Sequence, residues 1–375
     1  MMSAPDSIGS VRRRIKEISE NAEHMTIDRK KLSEVAQVAA FNIGARWWEA
    51  YRDAPEHYQF SPLHRGDENA LMFVLVNSAQ MWLIWERMPN GDIEPWNLHI
   101  GDELFVGAAA ITAAHWRGIR MQNQNLLDPN YLAQMSIHDV ERLYRDDCTG
   151  QTSLQNLTGR QMKFNEIGQV LNEEFSGQVT ELFERAGGFL YREDGTGLVQ
   201  LLVDYFPRSF ADWPFYKLAN VVVFSLFGLR NSGVPTTSEF MRLSEFHDLG
   251  DLEGGADYYR PFFLMRVGVL QPTPTLRDHL KNKALTERDS TLEQEIRATT
   301  LEVLRALTEA IGTYPADLPS VEMETHAQAF LKCRHCRSGI PDEELLCSYK
   351  TVCVAYNQDP ELMEIWWPLV HTTAY

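Results

Sequence analysis

STLEQEIRATTLEVLRALTEAIG, residues 290–312, carries a complete set of helix signals from cap to stop. Ser290 and Glu293 stand at the spacing of a capping box, in which each side chain satisfies a backbone N–H that the first helical turn leaves without a partner. Leu292, Ile296, Val303, Leu307 and Ile311 repeat at helical spacing and form one apolar stripe. Gly312 is a natural stop, because glycine accepts the left-handed backbone that ends many helices. The same period recurs along most of the chain. VRRRIKEISENAEHM (11–25) places Val11, Ile15 and Ile18 on one side of a charged helix. LANVVVFSLFGL (218–229) is too short to span a bilayer, contains Asn220 and Ser225, and reads as a buried helix. The exception is MWLIWERMPNGDIEPWNLHI (81–100), where Asn90-Gly91 between two β-prone runs predicts a hairpin. The expected fold is mainly α, a single compact helical domain over 1–375 with one small β-hairpin near 81–100. Its N-terminal helices and hairpin fall in 1–120 and its helical remainder in 121–375.

The bulk composition narrows the function classes. At 375 residues, 44% hydrophobic and 23% charged, the chain resembles an ordinary globular protein. A net charge of −17 argues against holding a nucleic-acid duplex by its phosphates, which needs a basic face. A single nucleotide met by a few local basic groups stays open. MMSAPDSIGSVRRRIKEI, at the start, lacks the apolar core of a signal peptide. Five cysteines, an odd number, argue against a secreted disulfide framework. A cytoplasmic location is expected, with no membrane partner; the oligomeric state is open, a monomer being the simplest expectation.

Several residues carry chemistry if the fold gathers them. In GGADYYRPFFLMRVGVL (254–270), two glycines permit a turn, Pro261 suits the first turn of a helix, and Asp257 lies just before the helix start. Asp257 is thus either a helix cap or an active-site acid beside tyrosine rings. Lys217 opens the apolar helix of WPFYKLANVVVF, either snorkelling to solvent or facing an anion. Trp82 and Trp85 are core rings or stacking walls. Cys333 and Cys336 have metal-site spacing, but Cys347 and Cys353 are separated by five residues rather than two, which weakens a zinc reading in favour of incidental thiols. His326 and Glu324, two apart on a helix, do not share a face.

Taken in order, these segments resemble the queuosine salvage protein family. Val11-Arg12 and Ala22-Glu-His-Met-Thr-Ile-Asp28 look like its opening helix and "A-x-H-V-x-I" turn. Trp82–Trp85 resembles its "N-F-S-F-W", Phe105-Val-Gly107 its "Y-x-G-Y-W-S-L" region, and Asn165-Glu166-x-Gly168 its "N-E-x-G". Phe206-Pro207 precedes Phe215-Tyr216-Lys217-x-Ala219-Asn220, which looks like "F-Y-K-R-A-Q". Phe246-x-Asp248 stands nine residues before Asp257, as "F-x-D-I" stands before "F-A-D-Y-R-x-P-Q". Tyr349–Tyr356 is similar to the closing segment. Three positions of the signature turn depart: Gly255 for Phe, Tyr259 for Arg with Arg260 one place later, and Phe262 for Gln. The Asn of "N-F-S-F-W" has no clear counterpart.

The resemblance implies a helical fold related to helical DNA glycosylases and an enzyme that uses no metal or other cofactor. It would cleave the N-glycosidic bond of queuosine 5′-monophosphate or a related 7-deazaguanine nucleotide and release the base. Asp257 would be the catalytic carboxylate near the ribose. Tyr258 would support the pocket, Lys217 and Arg260 would meet the phosphate, and Trp82 and Trp85 would wall the base. Asp248 and Glu324 would recognise polar groups of the substrate. The same scaffold acting on another nucleoside or nucleotide, and a non-catalytic ligand-binding protein, are the alternatives.

Overall fold

The computed structural model describes residues 7–43, 65–312, 318–336 and 346–375. Ser290 caps the Thr291–Ile311 helix by accepting the Glu293 N–H, and Gly312 ends it at φ 83°. The reciprocal half of the expected capping box is replaced. Glu293 accepts the Asp289 N–H at 3.2 Å, while its other oxygen faces Arg297 and Tyr375. Ile296, Val303 and Leu307 are buried, and Leu292 and Ile311 pack at the margin of the core.

The Ile8–Glu20 helix lays Val11, Ile15 and Ile18 against that long helix. Met25–Ile27 then pairs antiparallel with Leu270–Pro272, so the start of the chain is tied to its last third. Asp28 caps the next helix, Arg29–Asn42, by accepting the Lys31 N–H. The Glu68–Ala79 helix is buried on almost every side, from Ala70 to Ala79, and packs on the Lys217–Asn231 helix. A helix apolar all round can only be central. Among the described residues no helix is long and apolar enough to cross a membrane. Buried apolar side chains form one contiguous cluster reaching from Val11 to Tyr375.

The expectation of one hairpin requires correction. Trp85–Arg87 does pair with Ile93–Pro95. Its connection is the five-residue loop 88–92, closed by the Met88 N–H on the Asp92 carbonyl, with Gly91 at φ 84°. A second hairpin follows at once, Asn97–Ile100 with Glu103–Val106. Leu285–Thr286 also pairs in parallel with Leu369–Val370. Strands of two to four residues are too short to impose a period of two on the sequence, and two of these pairings join segments far apart in the chain.

Candidate functional site

The turn at 254–258 is built by its neighbours. Neither Gly254 nor Gly255 is left-handed; what demands glycine at 254 is space, since a Cβ there would stand 2.1 Å from Glu322 Oε1. The Gly255 N–H donates to that same Oε1 at 3.0 Å. Arg297 Nε donates to the Ala256 carbonyl at 3.2 Å, fixing the backbone one residue before Asp257. The Asp257 carboxylate then divides its work. Oδ1 accepts the Tyr259 N–H at 3.0 Å and the Arg260 N–H at 3.5 Å, capping the Tyr259–Arg266 helix. Oδ2 takes Arg260 Nη1 at 2.5 Å, and Arg260 Nε pairs with Glu322 Oε2. The cap and acid readings of Asp257 are therefore compatible.

Lys217 comes to the same place. It is the first residue of its helix, behind a left-handed Tyr216, and its Nζ donates to the Met81 carbonyl at 2.8 Å. The Ile84 N–H donates to the Tyr258 hydroxyl. The 81–85 segment thus borders the site through its backbone. The ring contacts of its two tryptophans lie elsewhere: Arg160 stacks 4.2 Å from the Trp82 centroid and His371 lies 5.3 Å from Trp85. Tyr258 packs on Tyr259 and Trp367, with centroids 4.6 and 6.1 Å away.

Burial makes the electrostatics strong. It would raise the Asp257 carboxyl, but Arg260, then His326 and Lys217, hold it down to about 2. Burial and the Asp257 charge push Glu322 up, with Arg260 opposing. Lys217 is lowered to about 8 by burial, against the pull of Asp257. His326, with Nδ1 4.0 Å from Asp257 Oδ2, is lowered to about 4 by burial and by Arg260. At neutral pH the cluster therefore holds an anionic Asp257, a cationic Arg260, a mostly cationic Lys217 and a neutral imidazole.

A second network braces it. Arg297 is paired with Asp212 and with Glu293 at 3.1 Å, and its guanidinium lies between Phe215 and Tyr375, 4.0 and 4.1 Å from their centroids. The Tyr375 hydroxyl donates to Glu293 at 2.7 Å. The Asp212 carbonyl accepts the Phe215 and Tyr216 N–H groups, so one residue links the approach to Lys217 with the turn at Asp257. Asp257, Tyr258, Glu293, Arg297 and Tyr375 enclose a crevice of about 10 Å³, close to the minimum for one water.

Asp257, Tyr258, Lys217 and Arg260 are thus brought together. Asp248 spends both oxygens on the Leu190 and Tyr191 N–H groups. Glu324 accepts from Gln328 at 3.0 Å and meets Asn42 and Tyr349, on another side of the Leu318–Ala327 helix from Glu322. The residues that sequence reasoning missed are Glu322, His326, Arg297 and Asp212. A usable signal existed for two: Glu322 and His326 stand four apart and share a helix face.

Comparisons with known proteins point to one family. A family profile described as "Queuosine salvage protein" matches residues 57–327. The queuosine 5′-phosphate N-glycosylase/hydrolase of Sphaerobacter thermophilus is 28% identical over 319 residues, 80% of this chain and 87% of that protein. The mouse protein of the same name is 24% identical over 352 residues, covering 88% and 96%. That of Dictyostelium discoideum is 26% identical over 219 residues, covering 56% and 62%.

Proposed function

The chain belongs to the queuosine salvage protein family, and on that premise we propose that it is an N-glycosylase that hydrolyses queuosine 5′-monophosphate to free queuine. The observation that carries this reading is the buried Asp257 carboxylate, capping a helix with one oxygen and paired with Arg260 through the other, in a turn that resembles the family's signature. Breaking the bond from ribose to a 7-deazapurine builds positive charge on the sugar. A carboxylate kept ionised beside the anomeric carbon stabilises that charge most where water is excluded. Position 7 of the base is carbon and cannot accept a proton, so leaving-group help comes from hydrogen bonds elsewhere on the ring. His326, neutral at pH 7 and stacked on Phe330 at 6.1 Å, is suited to supply one.

Arg260 and Glu322 are positioning residues in this scheme: Glu322 holds Arg260, and Arg260 holds Asp257. Lys217 meets the 5′-phosphate. The crevice beside Asp257 suits the water that completes hydrolysis. The substrate roles of Trp82, Trp85, Asp248 and Glu324 belong to the same reading and are tested by substitution, their contacts in the structure being with Arg160, His371, the Leu190 and Tyr191 N–H groups and Gln328. The same reading includes kinship with the helical DNA glycosylases and a single working unit over residues 1–375.

The phosphate contact is tested by kinetics of Lys217→Met on queuosine 5′-monophosphate and on queuosine. The variant should lose about 100-fold in kcat/KM on the nucleotide, about 2.7 kcal/mol, and far less on the nucleoside. Equal losses on both would remove Lys217 from the phosphate. A second reading, another base on the same scaffold, is favoured by Tyr259 and Phe262. These replace the polar residues of the family motif and lie against Trp366 and Trp367. Other nucleoside monophosphates assayed in parallel separate the two readings.

A further inference from the structure

Four of the five cysteines, all within residues 333–353, line one small cavity at the far end of the Tyr259–Arg266 helix from Asp257. We propose that Cys333, Cys336, Cys347 and Cys353 form a structural tetrathiolate site for one zinc ion. The sequence spacing argued against this, because the second pair lacks the short knuckle of a familiar zinc motif. The fold removes that objection.

Helical residues 318–336 continue through a π turn at Gln328–Cys333 and end in the short helix Arg334–Cys336. Cys333 and Cys336, three apart, therefore project from one face. Cys347 approaches from the segment after residue 345, and Cys353 caps the Val354–Asn357 helix. Three chain segments converge on the cavity, and zinc is a usual means of joining segments that share little apolar surface.

The surroundings supply positive charge to the cavity. The Cys353 thiol donates to the Arg266 carbonyl at 3.4 Å, a bond that a metal-bound sulfur gives up. Arg266, Lys332 and Lys350 line the same cavity. Binding of Zn²⁺ by four thiols releases four protons and leaves a site of charge −2, which these cations offset. Arg266 is already anchored beside it, donating to the Cys333 carbonyl at 2.6 Å and the Met363 carbonyl at 2.9 Å. The cavity measures about 30 Å³, room for an ion and not for an organic ligand. Among the described residues the only three metal-donor atoms already within 4.8 Å of one another are those of His99, Asp146 and Cys148. The four sulfurs therefore stand apart around the cavity, and taking up the ion draws them inward. The His99 set is weaker, because Asp146 is spent on the His99 N–H and ring and on the Cys148 and Thr149 N–H groups.

The test is elemental analysis of the full chain purified without a metal-affinity column, with cobalt substitution after chelation. About one equivalent of zinc is expected in the wild type and in Cys148→Ser, and almost none in Cys336→Ser/Cys347→Ser. Cobalt in the stripped wild type should give the thiolate-to-metal charge-transfer band of a sulfur-rich site, a readout that stands even if the double variant does not fold. A wild-type chain with no zinc and no such band overturns the proposal. So does a count of one free thiol instead of five in unfolded, chelated, unreduced protein, which would mean two disulfides.

Discussion

Asp257 caps a helix and, in the proposed reaction, is also the carboxylate that meets the developing charge. In Asp257→Asn the amide oxygen keeps the cap, but Arg260 is left with Glu322 alone. Losing one partner of a buried pair costs about 3 kcal/mol, more than a cap alone at about 1 kcal/mol. Denaturant unfolding should show that loss with the chain still folded, while turnover falls by roughly 10³-fold. Unchanged turnover would reduce Asp257 to a cap. The pH profile belongs to Lys217 and His326. Lys217 holds its proton only up to about 8, so kcat/KM should fall as pH rises beyond that. Lys217→Arg should move this basic limb upward; a limb that stays in place belongs to another group. Stability in acid follows from two lowered pKa values. Asp257, at about 2 when folded, contributes stability that is present above its ordinary range and lost as pH falls toward 2. His326, at about 4 when folded, takes up its proton more readily in the unfolded chain, so its contribution is lost from its ordinary value near 6.5 down to 4. Both act in one direction. The urea midpoint of the wild type should drop between pH 7 and 4.5, and that of His326→Gln should drop less.

At the scale of elements, the turn at 254–257 is shaped by what packs behind it. Gly254→Ala drives a methyl group into the Glu322 carboxylate and should cost about 2 kcal/mol and most activity. Gly255→Ala meets nothing nearer than 3.6 Å and should melt within a few degrees of the wild type. If the two variants melt alike, the close approach at Gly254 is not what fixes the turn. Helices with local signals were legible in the sequence: Ser290, the stripe behind it and Gly312 all act within a few residues. Glu293 was not legible as built, because Arg297 and Tyr375 draw its carboxylate away from the cap. The second hairpin escaped because its strands are only four residues long, although Gly101-Asp102 between them is itself a hairpin dipeptide, with Gly101 at φ 58°. Glu324 was favoured over Glu322 because nothing local separates two glutamates in EMET; only the helix face does.

Over the whole molecule, the site is assembled from Asp212 and Lys217, the 254–260 turn, Glu293 and Arg297, and Glu322 with His326. Order and spacing along the chain pointed to the turn and to Lys217, whereas the partners that tune them are long-range and invisible to any local pattern. A chain of net charge −17 brings Lys217, Arg260 and Arg297 together with four buried carboxylates, Asp212, Asp257, Glu293 and Glu322; both arginines are paired with them, and Lys217, which donates to the Met81 carbonyl, is the cation proposed to meet the phosphate. The most direct measurement of that claim is release of queuine, followed by liquid chromatography–mass spectrometry, from queuosine 5′-monophosphate incubated with wild type and with Asp257→Asn. Release by the wild type and its near-complete loss in a folded Asp257→Asn is the predicted result. No release by folded wild-type protein would contradict the account.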